Sequence, residues 1–437
     1  MKRTLTILLI IALALPLFAF DFFFDTEESS NRNISLTLES GVLAYFNDGE
    51  LAPSANLTLK AEQDGANYRA TAEVRYDSVL QSLEAQELSL SLFFGQTTLK
   101  AGLMRHSWGT ADTAHVVDIV NGRDLRRGII DDLELMKRPD WMLTLTTYIE
   151  HGAFDFVVKP GFNPSYVSMD GRYSMIDSMK PLLAQIPPGF LSVDFDALKT
   201  TEMNTHSLST ISVGARYRFL FDPVDIGVMY YTGYFHDPGF EPLLSDVLAP
   251  PPLKNLDGVN LCYTRYQFAG FASSYFFEPF TLALEGGMFF SEDKDGTDSS
   301  LYNSKLVYLA EVSYTNPNNS FFVALNYQGQ HVIDFDGTGM FDVDAMAAFN
   351  GKASQNNFTL AMEYPFMQER LKLRVAGTYQ LESMGYVGLG SLAYDLDDAV
   401  EVFAKATLYG TFDENRTGLY NTWKENSQIQ VGVRAWF

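Results

Sequence analysis

Residues 428–437 read QIQVGVRAWF, and every second side chain in this stretch is apolar up to the final phenylalanine. Side chains of a β-strand alternate between its two faces, so Ile429 and Val431 point away from the face that carries Arg434. This alternation predicts a strand with lipid against one face and water against the other. The alternative is an edge strand of a soluble β-sandwich, a class of protein that seldom ends on a terminal aromatic residue.

The same alternation recurs along the chain, in runs separated by short turn sequences. It is clearest in residues 67–76, 211–219 and 371–380. Further runs are centred on Leu36, Leu57, Leu90, Leu99, Leu143, Phe156, Val228, Leu261, Leu284, Leu309, Leu325, Leu360, Leu389 and Ala404. Together the runs predict about 16 to 18 strands of about 9 to 14 residues, a length with which a tilted strand crosses the hydrocarbon layer. The predicted fold class is therefore all-β, a transmembrane antiparallel up-and-down β-barrel with long loops.

The N-terminus has the pattern of an export signal. Lys2 and Arg3 precede an apolar run over residues 5–18, and the small residue Ala19 follows. The run is shorter than the roughly 20 residues that a membrane-spanning helix needs, so residues 1–20 are predicted to be a secretory signal peptide. Residues 21–437 are then the barrel.

The combination of signal peptide and alternating strands predicts a location in the outer membrane of a Gram-negative cell, reached through the periplasm. The predicted partners are the lipid bilayer, lipopolysaccharide or an equivalent outer leaflet, and small solutes. Phe437 is the predicted signal that the outer-membrane assembly machinery reads in the last strand.

Composition excludes several other classes. The formal net charge of −23 argues against nucleic acid as a partner, because phosphate binding needs a basic surface. The single cysteine, Cys262, forms no internal disulfide and removes any cysteine-based metal site. The six histidines are scattered, and the chain has no HExxH or phosphate-loop motif. We predict no enzymatic activity, no metal site and no cofactor.

Charged residues fall on the inward phase of the predicted strands. A charged side chain that faces lipid at mid-depth costs about 2 to 4 kcal/mol, so these residues are expected to face a polar lumen. The lumen-facing candidates are Lys60, Arg69, Glu73, Arg75, Lys100, Arg216, Arg218, Glu285, Glu311, Glu363, Lys372, Arg374 and Arg434. Both signs are present, so the wall is predicted to be near charge balance, with the excess acid in loops. Alternatively, these charges only form cross-strand pairs that rigidify the wall.

Three segments break the alternation and are predicted to be long loops: 106–140, 162–203 and 237–257. Long loops of barrels lie outside the membrane or fold into the lumen. The first segment packs both charge signs into a few residues, which favours a pore constriction that selects by field as well as width. The constriction candidates are Arg123, Arg126, Arg127, Asp131, Asp132 and Glu134. The alternative is an ordered surface loop with paired charges.

The same region resembles a known family. Residues 99–102 (LKAG), then Trp108-Gly109, then residues 120–126 (VNGRDLR) and Glu134 and Pro139 before a new strand form an ordered series. The series resembles a pattern in uncharacterised porin-like outer-membrane proteins related to alginate-export type barrels. It departs from that pattern at Gly122, where the family has proline. The resemblance covers roughly 40 residues and implies an outer-membrane barrel of porin type.

These observations predict an outer-membrane, porin-like channel for passive transport of small hydrophilic solutes. Two alternatives stay open. In the first, the barrel only anchors a surface binding or adhesion protein. In the second, the protein is an outer-membrane hydrolase. A channel passes ionic current across a sealed membrane, whereas an anchor does not.

Overall fold

The computed structural model describes residues 31–166, 168, 171–174, 191–193, 199–247, 253–335, 342–344 and 352–437. The predicted signal peptide lies outside the described residues, and so does most of segment 341–350.

The wall of the molecule is one sheet of 18 strands, each hydrogen-bonded to the next strand of the wall in antiparallel orientation. The sheet closes on itself because the first and last strands also pair, with Thr37 opposite Trp436 and Tyr45 opposite Gln428. The wall strands are β1 (Asn31–Tyr45), β2 (Leu51–Asp64), β3 (Tyr68–Asp77), β4 (Ser82–Phe94), β5 (Thr97–Met104), β6 (Asp140–Ile149), β7 (Gly152–Lys159), β10 (Ser212–Phe221), β11 (Val224–Tyr234), β14 (Arg265–Phe277), β15 (Phe280–Ser291), β16 (Lys305–Thr315), β17 (Phe322–Val332), β18 (Ser354–Phe366), β19 (Leu371–Gln380), β20 (Gly385–Asp395), β21 (Val400–Thr411) and β22 (Gln428–Trp436). The predicted barrel and its strand number are confirmed.

One wall strand was assigned wrongly from the sequence. The run centred on Leu261 lies in β13 (Leu253–Cys262), which is outside the wall, and the true wall strand β14 follows it. The reason is that the inward face of β14 is itself apolar, since Tyr266 and Phe268 are buried in the lumen. Without a polar inner face, the alternation on which the assignment rested is lost.

The outer surface of the barrel is apolar. Large hydrophobic side chains on the outward phase are exposed around the wall, among them Val228, Leu325, Leu360 and Val431. A soluble protein rarely exposes an apolar surface of this extent, whereas a membrane barrel presents such a band to lipid. The barrel is therefore transmembrane. Among the described residues, no helix is both long enough and apolar enough to cross a membrane.

The two rims of the barrel differ. At one rim, turns of two to six residues connect the strands, and we call it the short-turn rim. The other rim, the long-loop rim, carries the connections 105–139, 160–211, 235–264, 292–304, 333–353 and 412–427 together with three shorter ones.

A second, four-stranded sheet belongs to the connections at the long-loop rim. It consists of β8 (Leu191–Val193), β9 (Lys199–Glu202), β12 (Gly239–Val247) and β13 (Leu253–Cys262). β13 is the central strand: β12 pairs with it in antiparallel orientation, and β8 and β9 both pair with it in parallel orientation. The segments 162–203 and 237–257, expected from sequence as long loops, thus contribute strands to one common sheet.

Candidate functional site

The connection between β5 and β6, residues 105–139, folds into the lumen, and we call it the inserted loop. Its backbone is held by Glu285 on β15, and Ile129 N donates to the hydroxyl of Tyr409 on β21 at 2.8 Å. β15 and β21 are six strands apart in the barrel order. A segment that reaches both must cross the interior.

Two wall carboxylates hold the tip of the inserted loop. Glu285 Oε1 accepts from Thr110 N at 2.8 Å, and Oε2 accepts from Val116 N at 2.9 Å. On β16, Glu311 accepts from Asp112 N at 2.6 Å. Each carboxylate is only 2% exposed. Hydrogen bonds that involve an ionised acceptor are roughly twice as strong as neutral ones, so this clamp fixes the loop against the wall.

The residues of the Trp-Gly pair anchor the start of the loop. Trp108 is fully buried, packs edge-on against Tyr231, and donates from Nε1 to His106 Nε2 at 3.0 Å. Gly109 has a φ of +133°, and a Cβ there would lie 2.5 Å from His115 Nδ1. Glycine is needed here because a side chain would enter the Glu285 clamp and strain the backbone.

The base of the loop is closed by one amide side chain. Asn121 Oδ1 accepts from His106 N at 2.8 Å, while Asn121 Nδ2 donates to the carbonyl of Arg138 at 2.9 Å. Beside it, Lys137 Nζ lies 2.5 Å from the buried carboxylate of Asp118. These contacts tie the two ends of the inserted loop together.

The basic constriction candidates take different positions. Arg126 forms a two-point ion pair with Glu84 on β4, at 2.8 and 2.9 Å, and its guanidinium stacks on Tyr166. Arg127 lies 3.2 Å from Asp77 on β3. Arg123, by contrast, is exposed and lies 3.4 Å from Asp237.

The acidic constriction candidates form a second group. Asp131 lies 3.6 Å from Lys405 on the opposite wall. Asp132 accepts from Glu134 N at 3.0 Å and so shapes the turn, and Glu134 lies 2.6 Å from Lys137. The loop thus places Arg126, Arg127, Asp131, Asp132 and Glu134 along one cavity, and only Arg123 lies elsewhere.

Most of the lumen-facing candidates lie in ion pairs. The pairs are Lys60 with Glu62, Arg69 with Asp64, Lys100 with Glu87, Arg216 and Arg218 with Asp155, Lys372 with Asp395, Arg374 with Glu363, and Arg434 with both Glu39 and Glu401. Glu285 and Glu311 hold the inserted loop. Glu73 shares a strand face with Arg75, whose Nε is buried without a hydrogen-bond partner. Cross-strand pairing and a polar lumen therefore coexist.

The inserted loop borders two cavities. The main cavity has a volume of 1320 Å³ and runs along β1 and β22 from Tyr45, near the long-loop rim, to Trp436, near the short-turn rim. The vestibule, of 620 Å³, lies between the loop and strands β14 to β19. His115, Leu133, Ser168 and Tyr173 line both cavities, so the two spaces meet at the loop.

Charges in the main cavity are separated in space. The wall contributes the basic side chains Arg75, Lys372, Arg374, Lys405 and Arg434 against the acidic Glu39 and Glu401. The loop contributes the acidic Asp112, Asp131, Asp132 and Glu134 against the basic Arg126 and Arg127. A solute in this cavity therefore lies between a basic wall and an acidic loop, in a transverse field.

Burial and charge set the protonation of the two histidines in the loop. Burial lowers the pKa of His106 to about 4, so the neutral ring accepts the Trp108 hydrogen bond. Burial also opposes charge on His115, but the hydrogen bond and charge of Glu285 outweigh it, and the pKa of His115 is raised.

Sequence reasoning missed the anchors of the loop. It named Glu285 and Glu311 as inward residues but not as a clamp, and it counted His115 only among six scattered histidines. One signal was present: residues 110–114, TADTA, are all small and three of them are polar, which lets a backbone approach a polar wall closely. Among the described residues, no group of three or more His, Cys, Asp or Glu side chains is arranged to hold a metal ion.

The fold and the site together define a class: a transmembrane β-barrel whose polar lumen is crossed by one of its own loops. Solved structures that are similar to this chain include porins. One engineered variant of the Rh. blastica porin is 10% identical at a TM-score of 0.41, and the alignment covers 93% of this chain and 100% of that chain. A second variant is 11% identical at a TM-score of 0.42, with the same coverage.

No family model matches the chain, and no curated protein matches it significantly. The relation to alginate-export type barrels therefore stays a prediction.

Proposed function

We propose that this protein is an outer-membrane channel through which small hydrophilic solutes pass by diffusion. The observation that carries the proposal is the meeting of the vestibule and the main cavity at the inserted loop, lined on both sides by His115, Leu133, Ser168 and Tyr173. A barrel that serves only as an anchor needs no such space, and small barrels are filled by side chains.

The inserted loop is the proposed selectivity element. Its clamp on Glu285 and Glu311 fixes the width that a solute meets, and its acidic side chains oppose the basic wall. A polar solute gives up part of its water and gains hydrogen bonds and dipole orientation in that field. No bond is made or broken, and the proposed function is non-enzymatic.

The proposal includes the cellular setting. An outer membrane supplies the lipid that the apolar belt needs, with lipopolysaccharide or an equivalent outer leaflet at the long-loop rim. The outer-membrane assembly machinery would insert the barrel. A relation to alginate-export type barrels belongs to this proposal as well.

Single-channel recording from refolded protein in a planar bilayer tests the function. Discrete conductance steps are expected, and a KCl gradient gives the reversal potential. Silence from protein whose heat-shifted gel mobility shows that it is folded contradicts the channel. The long loops as a binding surface would then be the better account, and a lipid or peptide cleavage assay would test the hydrolase.

A further inference from the structure

The vestibule contains a strip of amide side chains on three adjacent strands. Gln328 on β17 lies opposite Asn357 on β18, which lies opposite Gln380 on β19. In the next row Gln330 lies opposite Gln355. All five line the vestibule, so they point inward at neighbouring levels of the wall.

The hydrogen-bonding capacity of this strip is largely unused. Among the described residues, Gln328, Gln330 and Gln355 form no side-chain hydrogen bond. Gln380 accepts one from Ser383 and keeps its two amide donors. Asn357 Oδ1 is buried without a partner. That oxygen is out of reach of a solute, so the groups left for a ligand are the amides of Gln328, Gln330 and Gln355 and the NH2 donors of Gln380 and Asn357.

Each free amide offers two kinds of hydrogen-bonding group. The side chains of Gln328, Gln330 and Gln355, which line the vestibule, each carry a carbonyl acceptor and an NH2 group with two donors. A hydroxyl group supplies both functions, because it donates one hydrogen bond and accepts others.

The charges of the vestibule cancel. Asp118 pairs with Lys137 at 2.5 Å, and Arg123 pairs with Asp237 at 3.4 Å. The remaining two charged residues of the lining apart from histidine, Lys305 and Asp344, are of opposite sign. The next inward-facing pair towards the short-turn rim is neutral as well: the hydroxyl groups of Thr359 and Thr378 form a hydrogen bond of 3.0 Å. An ion that enters this space loses water and meets a lining with no net charge to compensate for it, which is unfavourable.

We propose that the vestibule is a binding site for uncharged polyhydroxylated solutes, of the carbohydrate class, with Gln328, Asn357 and Gln380 as its central contacts. The inference rests on the proposed channel function and names the class of solute. The volume of the vestibule, 620 Å³, lies within the roughly 300 to 1,000 Å³ that small-molecule sites occupy.

The test uses raffinose, a neutral trisaccharide, added at the long-loop side during bilayer recording of the full barrel. Raffinose is expected to interrupt the current in a concentration-dependent way. The variant Gln328→Met with Asn357→Leu and Gln380→Met removes the amides at nearly constant volume. Loss of several hydrogen bonds is expected to raise the half-blocking concentration roughly tenfold or more. Gln428→Met is the matched control, because it makes the same chemical change in the main cavity, and it is expected to leave raffinose block unchanged.

The outcomes separate the two proposals. Absence of any conductance from folded protein contradicts the channel function. Normal conductance with no effect of raffinose overturns the carbohydrate site alone, and equal block by the anionic trigalacturonate overturns its preference for neutral solutes. If the triple variant does not fold, the single variant Gln328→Met is used, and an unchanged half-blocking concentration in it counts against the site.

Discussion

At the scale of single residues, the decisive contact is that between Glu285 and the backbone of the inserted loop. Glu285 accepts from four backbone amides, those of Thr110, Ala111, Val116 and Val117, and contacts His115 Nδ1 at 3.1 Å. A carboxylate buried in this way is paired entirely with donors of one segment. Glu285 is therefore the main wall anchor of that segment, and Glu311 is the second.

Glu285→Gln should loosen the loop. The amide nitrogen of glutamine would face backbone N–H donors, and hydrogen bonds to a charged group contribute about 1.5 to 3 kcal/mol each. We expect the free energy of loop docking to fall by about 2 to 3 kcal/mol. Single-channel records should show larger and noisier conductance.

Glu363→Gln is the matched control for this change, because Glu363 also faces the lumen but its pair with Arg374 is exposed. Exposed ion pairs contribute about 0 to 1 kcal/mol, so little change is expected. Equal effects of the two substitutions would contradict the clamp.

His115 makes the docking of the loop depend on pH. Its pKa is raised above the ordinary 6.5 because the hydrogen bond and charge of Glu285 outweigh the effect of burial. A group whose folded-state pKa is raised contributes stability that is complete below its unfolded pKa and is lost as pH rises through the folded pKa. Docking should therefore weaken as pH rises above the ordinary histidine pKa of about 6.5 and through the raised pKa of His115.

The measurement is the frequency of current fluctuations against pH. His115→Gln cannot titrate in this range and should remove the dependence. The neighbouring Lys137 is not expected to contribute, because its pKa is raised: burial lowers it, but the charge of Asp118 outweighs that effect. An unchanged pH profile in the variant would rule out His115 as its source.

At the scale of elements, the wall strands and the connections at the long-loop rim differ in charge. The 18 wall strands hold 14 basic and 15 acidic residues, close to the predicted balance. The connections at the long-loop rim hold 14 basic and 29 acidic residues. The excess acid therefore lies at the mouth of the barrel, while selectivity should follow the opposed charges of the main cavity.

Neutralising the acidic side of the loop should shift ion selectivity. In the variant Asp131→Asn, Asp132→Asn and Glu134→Gln, the basic wall is left unopposed. We expect the chloride-to-potassium permeability ratio to rise severalfold, read from the reversal potential in a KCl gradient.

Asp295→Asn with Asp298→Asn is the control, since these acids lie in the connection 292–304 at the rim. Exposed charges are screened beyond about 10 Å at 0.1 M salt, so their effect should be smaller. A larger shift from the rim variant than from the loop variant would place selectivity at the mouth.

At the scale of the whole molecule, closure depends on the pairing of β22 with β1. Arg434 connects the seam, with contacts of 2.7 Å to Glu39 on β1 and 2.9 Å to Glu401 on β21. Phe437 extends the seam through its backbone, since its N–H donates to Leu36 O at 2.9 Å. Its side chain is 73% exposed and packs little against the barrel.

Phe437→Ala should therefore separate folding from cellular assembly. Refolding in detergent is expected to proceed with the wild-type yield, because the backbone contacts remain. If the side chain is the signal that the assembly machinery reads, the amount of folded barrel in the outer membrane should fall severalfold. Val433→Ala, which truncates a lipid-facing residue of the same strand, is the control. A normal cellular level of the Phe437 variant would contradict the assembly role.

The sequence by itself determined the barrel, because alternation is a local property and each strand carries it in its own residues. It failed at β14, where Tyr266 and Phe268 make the inner face apolar and erase the alternation. It also identified segment 106–140 as unusual, and the charges of that segment as candidates for a constriction.

Only the tertiary structure decided where that segment goes. Thr110 meets Glu285 across 175 residues of sequence, and Thr113 meets Glu311 across 198. Contacts of this kind arise when the sheet closes and brings distant strands around one interior, and no local pattern encodes them. The amide strip of the vestibule has the same origin, since Gln328, Asn357 and Gln380 become one surface only through the register of three strands.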